Sequence, residues 1–243
     1  MMRKIILFFI FIFSGLVSAQ EPLTFYVVHY PPYMIVNSDN EISGMDVEVV
    51  AAAFQESGQE VKFDVLPWKR VMKLMQVGEV AGGLSCSKRK GREKYMLFSE
   101  YISTTRQTAI TRKETQTEPI NNLNDLAGYS VTTIAGWGAT NKLEAHGIEY
   151  LPSKDMRSAL VSVLHRGVDV FYGPEIPTMH IAKKMQSQEN LKVTYIEDVA
   201  SISLHLCVSK PYPNSEQIVT SFNRGLQAIK QNGTYETIQR KYF

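Results

Sequence analysis

Strand-like and helix-like patterns alternate along nearly the whole of this 243-residue chain, and that alternation excludes most architectures. The run 23–30, LTFYVVHY, is aromatic and β-branched enough for a buried strand, and a turn-rich stretch follows it. In 45–58, MDVEVVAAAFQESG, apolar residues recur at three- and four-residue spacing and a glycine ends the run, which predicts an amphipathic helix. The cycle continues with a strand in VKFDVL (61–66), a helix in WKRVMKLMQVG (68–78) and a strand in VAGGLSCS (80–87). A long β-type segment, YISTTRQTAITRK (101–113), comes next. The pattern then restarts at YSVTTIAG (129–136) and runs through three more helices to KVTYIE (192–197). After SISLHLCVSK (201–210), a closing helix occupies 214–233. Such alternation predicts an α/β protein whose parallel strands are covered by helices on both faces, and two cycles predict two units. The crossings between units are expected in the β-type stretches 108–112 and 201–206. The expected division is a leader at 1–19, a first lobe over 20–112, a second over 113–201, and a return to the first over 202–243. A cleft between lobes is a preferred place for a small ligand.

The leader follows from Arg3 and Lys4, an apolar core from Ile5 to Val17 too short to span a bilayer, and the small-residue ending Val-Ser-Ala. These features predict export with cleavage after Ala19. Without Arg3 and Lys4 the chain carries 24 basic and 24 acidic residues, which argues against nonspecific nucleic-acid binding, since that rests on neutralising phosphates. Two cysteines, Cys86 and Cys207, form no C-x-x-C and no dense framework. They end and begin strands that would be neighbours, so both a disulfide and a pair of buried thiols fit them. No histidine pair has metal-ligand spacing, and neither G-x-S-x-G nor H-E-x-x-H occurs. Neither a metal nor a cofactor is expected. His29 is the histidine nearest the expected site.

Several motifs stand in a particular order: YPPY (30–33), SGMDVEVVAAAF (43–54), LPWKRVMKLMQVGEV (66–80), REKYMLFSEY (92–101), LNDLAGYSVTTIAG (123–136), RGVDVFYG (166–173) and IKQNGTYETIQRKYF (229–243). Together they resemble the bacterial extracellular solute-binding proteins of the polar amino-acid type, family 3, over 20–243. The resemblance implies a two-lobe periplasmic-binding-protein-like fold of type II, each lobe a mostly parallel sheet flanked by helices. It further implies a monomer in the periplasm that closes on an amino acid or related carboxylate and delivers it to an inner-membrane ABC permease. A membrane sensor is the alternative partner. Dehydratase or lyase chemistry on the same fold is a third reading, set against the missing catalytic motifs.

The segment 88–94 concentrates Lys88, Arg89, Lys90, Arg92 and Lys94. The resemblance singles out Arg92, six residues before Phe98-Ser99, as the fork for a ligand carboxylate, a geometry guanidinium provides. The other four cations are expected to face solvent. Tyr30, Tyr33 and Trp68 are candidate aromatic walls, or else core rings. Ser85 and Ser87, at a strand exit, suit either ligand contact or turn chemistry. Gly136, Trp137 and Gly138 open a helix whose free N–H groups suit an anion. Two departures from the family pattern stand out. Ala81 replaces an aspartate after the second helix, a structural position. Pro174 stands where the family's ammonium-binding aspartate would be, leaving Glu175, one residue on, either to take that role or to remain a surface residue favoured by the helix dipole.

Overall fold

The computed structural model describes residues 22–116 and 118–242. The leader and its cleavage site lie outside these residues. Along the chain come β1 (Leu23–Val27), a small ribbon of β2 (Ile35–Val36) and β3 (Ile42–Ser43), α1 (Met45–Glu56), β4 (Val61–Val65), α2 (Trp68–Val77), β5 (Gly82–Cys86) and β6 (Met96–Thr105). A second series follows: β7 (Gln107–Arg112), β8 (Val131–Ile134), α3 (Gly138–Ala145), β9 (Leu151–Ser153), α4 (Met156–His165), β10 (Val170–Pro174), α5 (Glu175–Lys184) and β11 (Leu191–Thr194). Finally β12 (Ile202–Ser209), α6 (Ser215–Gln231) and α7 (Thr234–Tyr242) complete the chain.

Two five-stranded sheets result, ordered β4-β1-β5-β12-β6 and β11-β7-β10-β8-β9. In the first, β1 pairs parallel with β4 and β5, while β12 runs antiparallel to β5 and β6. In the second, β8 pairs parallel with β9 and β10, while β7 runs antiparallel to β10 and β11. The antiparallel half of each sheet comes from the segments that carry the chain between lobes. Helices α1 and α6 cover the first sheet, with Phe25, Phe54 and Phe222 packed ring on ring beneath them. Gly225 lets α6 ride close to α1: a Cβ there would run into the Ala53 carbonyl.

The first crossing departs from expectation. The alternation of patterns assigns residues 107–112 to the first lobe, yet β7 pairs with β10 and β11 of the second sheet. The chain turns at Arg106. Its Nε donates to Val199 O (3.1 Å) and its Nη2 to Ile196 O (3.1 Å), while its guanidinium lies 4.9 Å from the Tyr195 ring centre. Arg106 thus pins one crossing to the other, and this long-range contact divides an otherwise continuous β-type segment. Cys86 and Cys207 are joined by a disulfide between the neighbouring strands β5 and β12, with Cα atoms 6.3 Å apart.

Candidate functional site

A cavity of about 230 Å³ lies where the carboxyl ends of strands from the two sheets face each other. The first sheet supplies the exit of β5, and with it the most polar wall. Ser85 has φ +54°, a left-handed conformation uncommon for a residue with a side chain, and it turns the backbone out of the strand. Its hydroxyl donates to Asp46 Oδ2 (2.6 Å), which also accepts from Ser103 (2.8 Å). Asp46 lies in the first turn of α1 with no exposed surface. Burial pushes its carboxyl up to about 7, and the two hydroxyl bonds pull against that shift. Asp46 is behind the wall, not in it: Ser85 stands between its carboxyl and the cavity.

The two arginines converge on Ser87. Arg92, at the start of a short 3-10 turn (Arg92–Lys94), donates from Nη1 to the Ser87 carbonyl (2.9 Å) and lies 5.6 Å from the centre of the Trp68 ring. Arg89 donates from Nε to Ser87 Oγ (3.2 Å). The far end of the Arg89 guanidinium reaches the second lobe and packs on Gly138, so closely that any Cβ there would coincide with it. Both line the cavity, half-buried, and burial lowers both pKa values; Arg89 adds to the lowering at Arg92. The one ion pair among the described residues joins Lys241 and Glu48, so neither arginine has an anionic partner there. Each guanidinium carries five N–H donors, and most of these remain uncommitted.

This corrects the reading of the basic run. Lys88, Lys90 and Lys94 are exposed as expected, but Arg89 is a wall residue. Nothing in its neighbourhood along the chain distinguishes it from the lysines. The distinguishing contact is Gly138, across the cleft.

Tyr30 and Trp68 line the cavity; Tyr33 does not. Tyr33 stacks behind Tyr30 (centroids 5.3 Å apart, planes 22°), and its hydroxyl donates to Thr104 O (2.6 Å), so it is a core ring. The Tyr30 hydroxyl shares a 3.0 Å hydrogen bond with Thr105 Oγ1, and burial raises its pKa. From the second lobe, Trp137 meets the Tyr30 ring edge-on at 5.4 Å, bridging the cleft. Gly136, Trp137 and Gly138 all line the cavity at the opening of α3. Glu175 is absent from the wall. It is the first residue of α5, and its carboxylate accepts from the Tyr195 hydroxyl, while Pro174 takes the wall position. His29 is also outside the lining and accepts the Val36 N–H on Nδ1 (3.1 Å). Wall residues that sequence reasoning missed include Arg89, Gln107 and Thr133, together with the apolar Val28, Leu84 and Phe171.

The family model described as bacterial extracellular solute-binding proteins, family 3, matches residues 24–243. An arginine-binding periplasmic protein of Mannheimia haemolytica is 24% identical over 241 residues, covering 95% of each chain. The L-cystine-binding protein TcyA of Bacillus subtilis (strain 168) is 24% identical over 220 residues, covering 88% of this chain and 78% of that protein. Among solved structures, a histidine kinase sensor domain with similarity to periplasmic binding proteins superposes with a TM-score of 0.80 at 20% identity, covering 91% of this chain and 95% of that one.

Proposed function

The chain belongs to the bacterial extracellular solute-binding proteins, family 3, and from that premise we propose that it captures a small carboxylate-bearing solute in the periplasm and hands it to an inner-membrane ABC permease. The observation that carries this reading is the pair Arg89 and Arg92, converging on Ser87 with no anionic partner among the described residues. A half-buried cation has lost part of its hydration and gains from a counter-charge. An incoming carboxylate would supply that charge and accept the planar donor pairs a guanidinium presents. Arg92 is the main fork, Tyr30 and Trp68 the aromatic walls, and Ser85 and Ser87 the polar rim. Gly136, Trp137 and Gly138 form the second-lobe face that closes over the ligand. Closure couples the ligand to the partner, because only the closed surface joins both lobes.

Binding is favoured over catalysis because the described wall residues include no carboxylate or imidazole to move a proton. The arginine- and cystine-binding relatives are binding proteins, which supports the same reading. A membrane sensor as partner is the second reading, favoured by the fold shared with a histidine kinase sensor domain.

Mass spectrometry of whatever small molecule leaves the purified protein on denaturation, followed by calorimetric titration of that compound, tests the proposal. The expected outcome is a carboxylate that binds one to one and shrinks the protein's radius in solution scattering. A neutral sugar or a metal chelate would sink it, and conversion of the compound on incubation would restore the enzyme reading.

A further inference from the structure

We propose that this cavity selects organic anions that carry no ammonium group, with Arg89 and Arg92 meeting the acid and apolar walls meeting the body. The inference rests on the carboxylate reading above and narrows it to a ligand class. Charge is the first argument. The described residues of the wall include two guanidinium groups and no aspartate, glutamate or histidine. A ligand ammonium enclosed with them would face two like charges in a poorly solvated space and find no carboxylate to offset its lost hydration.

Neither Asp46 nor Glu175 reaches the wall. Asp46 sits behind Ser85, outside the cavity wall. Its Oδ2 takes the hydroxyls of Ser85 and Ser103, and its Oδ1 is buried without a partner among the described residues, sealed from the cavity. Glu175 is turned to the Tyr195 hydroxyl, and the wall beside it is Pro174, whose side chain offers a ligand ammonium neither an acceptor nor a negative charge. The remaining polar wall groups are neutral. Thr133 donates to Tyr172 O (2.9 Å) and Thr105 is bonded to Tyr30, so both are already committed. Gln107 Oε1 is buried in the wall without a partner among the described residues. It suits a hydroxyl or amide N–H on the ligand, but one neutral oxygen does not offset a full positive charge.

Shape gives the second argument. Away from the arginines the wall is Val28, Met34, Leu84 and Phe171, closed by the rings of Tyr30 and Trp137. A polar amino-acid side chain would leave its hydrogen-bonding groups unmatched against these surfaces, whereas an aliphatic or aromatic body would fill them. The anion belongs at Ser87, where both guanidinium groups meet, and the body points toward Phe171.

Matched pairs that differ only in the ammonium group test this by calorimetry on the mature chain, freed of bound solute by unfolding and refolding. The probes are 3-phenylpropanoate against L-phenylalanine and glutarate against L-glutamate. In every pair of which a member binds, the acid is expected to bind at least about tenfold more tightly than its amino acid. Arg89→Gln should weaken the acid and narrow the gap within the pair, because it removes one of the two repelling cations. An amino acid that binds as tightly as its acid, or more tightly, overturns the inference while leaving carboxylate binding intact. Silence from all four probes also overturns it. If native mass spectrometry then shows a bound solute with no carboxylate, the carboxylate reading falls as well.

Discussion

The two faces of the cleft are built from different materials. The first-lobe face carries charge and committed hydrogen bonds: Arg89 and Arg92 on Ser87, Ser85 on Asp46, Tyr30 on Thr105. The second-lobe face offers small residues and backbone at the opening of α3, one indole, and the proline that ends β10. A preassembled polar face can hold an anion before closure, and a small, smooth face can then move in without breaking hydrogen bonds of its own. Affinity for the acid should therefore reside in the first lobe, while the second lobe should govern closure.

The largest effect expected from this division is at Arg92. On the proposed reading, Arg92→Ala removes the main fork and leaves the ligand acid facing a poorly solvated wall. Truncating one side of such a pair typically costs about 2–5 kcal/mol, roughly 30-fold or more in affinity. Calorimetry with the co-purifying solute reads it directly. Wild-type affinity in this variant would mean that charge recognition is not a first-lobe property.

Asp46 sharpens the same comparison through stability. Its carboxyl holds a proton to about pH 7 in the folded protein, against 3.8 ordinarily. Between those values the folded state binds more protons than the unfolded one, so this group's contribution to stability is greatest at low pH and is lost as pH rises toward 7. Asp46→Asn keeps an acceptor for Ser85 and Ser103 but removes the titration. Its stability relative to wild type should improve on raising the pH across that window, by on the order of 2–4 kcal/mol. Urea unfolding of both proteins at pH values on either side of the window measures it. The lowered pKa values of His29, His180 and His205 act in both proteins and cancel in the difference. Parallel pH curves would show that Asp46 does not titrate as a buried group.

Particular residues show what the sequence could disclose. Helices α1 and α2 were readable because their apolar spacing and terminal glycines are local signals. Arg92 was readable only through the resemblance, which implies a ligand-facing arginine six residues before Phe98 and Ser99; the structure places it in the cavity wall. The break at Arg106 was not, because β6 and β7 form one uninterrupted β-type run and the carbonyls that pin Arg106 come from Ile196 and Val199, far along the chain. Tyr30 and Tyr33 are the same residue type three positions apart, and only the packed structure decides which ring faces the cavity. Arg89 sits among lysines of the same charge; its partner Gly138 lies on the other lobe. Asp46 left a faint signal, an acid at a buried position among the apolar residues of a helix.

Gly138 tests the second-lobe face. Gly138→Ala places a methyl group where the Arg89 guanidinium lies, so the arginine must swing away or the lobes must part. Arg89 is long and flexible, which limits the loss. Affinity should fall by about tenfold, or ~1.4 kcal/mol, mainly as faster dissociation from a loosened closed form. Stopped-flow kinetics separates the two rates. The double variant with Arg89→Gln should lose little beyond the arginine change alone, because the two residues share one contact. Fully additive losses would mean that Gly138 acts elsewhere.

The smallest effects belong to the lysines beside the arginines. Lys88, Lys90 and Lys94 stand within six residues of Arg89 or Arg92 and carry the same charge, yet their side chains are exposed. A solvated ammonium acts on an anion in the cavity through water and salt, over a screening length of about 8 Å at physiological ionic strength. Each Lys→Ala change should therefore shift affinity by only about 0–1 kcal/mol, and that remainder should vanish as salt is raised. The Arg92→Ala loss should persist in high salt, because the proposed carboxylate would be enclosed in the cleft and contacted directly. The triple lysine variant titrated at low and high salt makes the contrast measurable. A salt-resistant loss in that variant comparable to Arg92→Ala would show that the diffuse field of the whole basic segment, and not the two forks at Ser87, holds the acid.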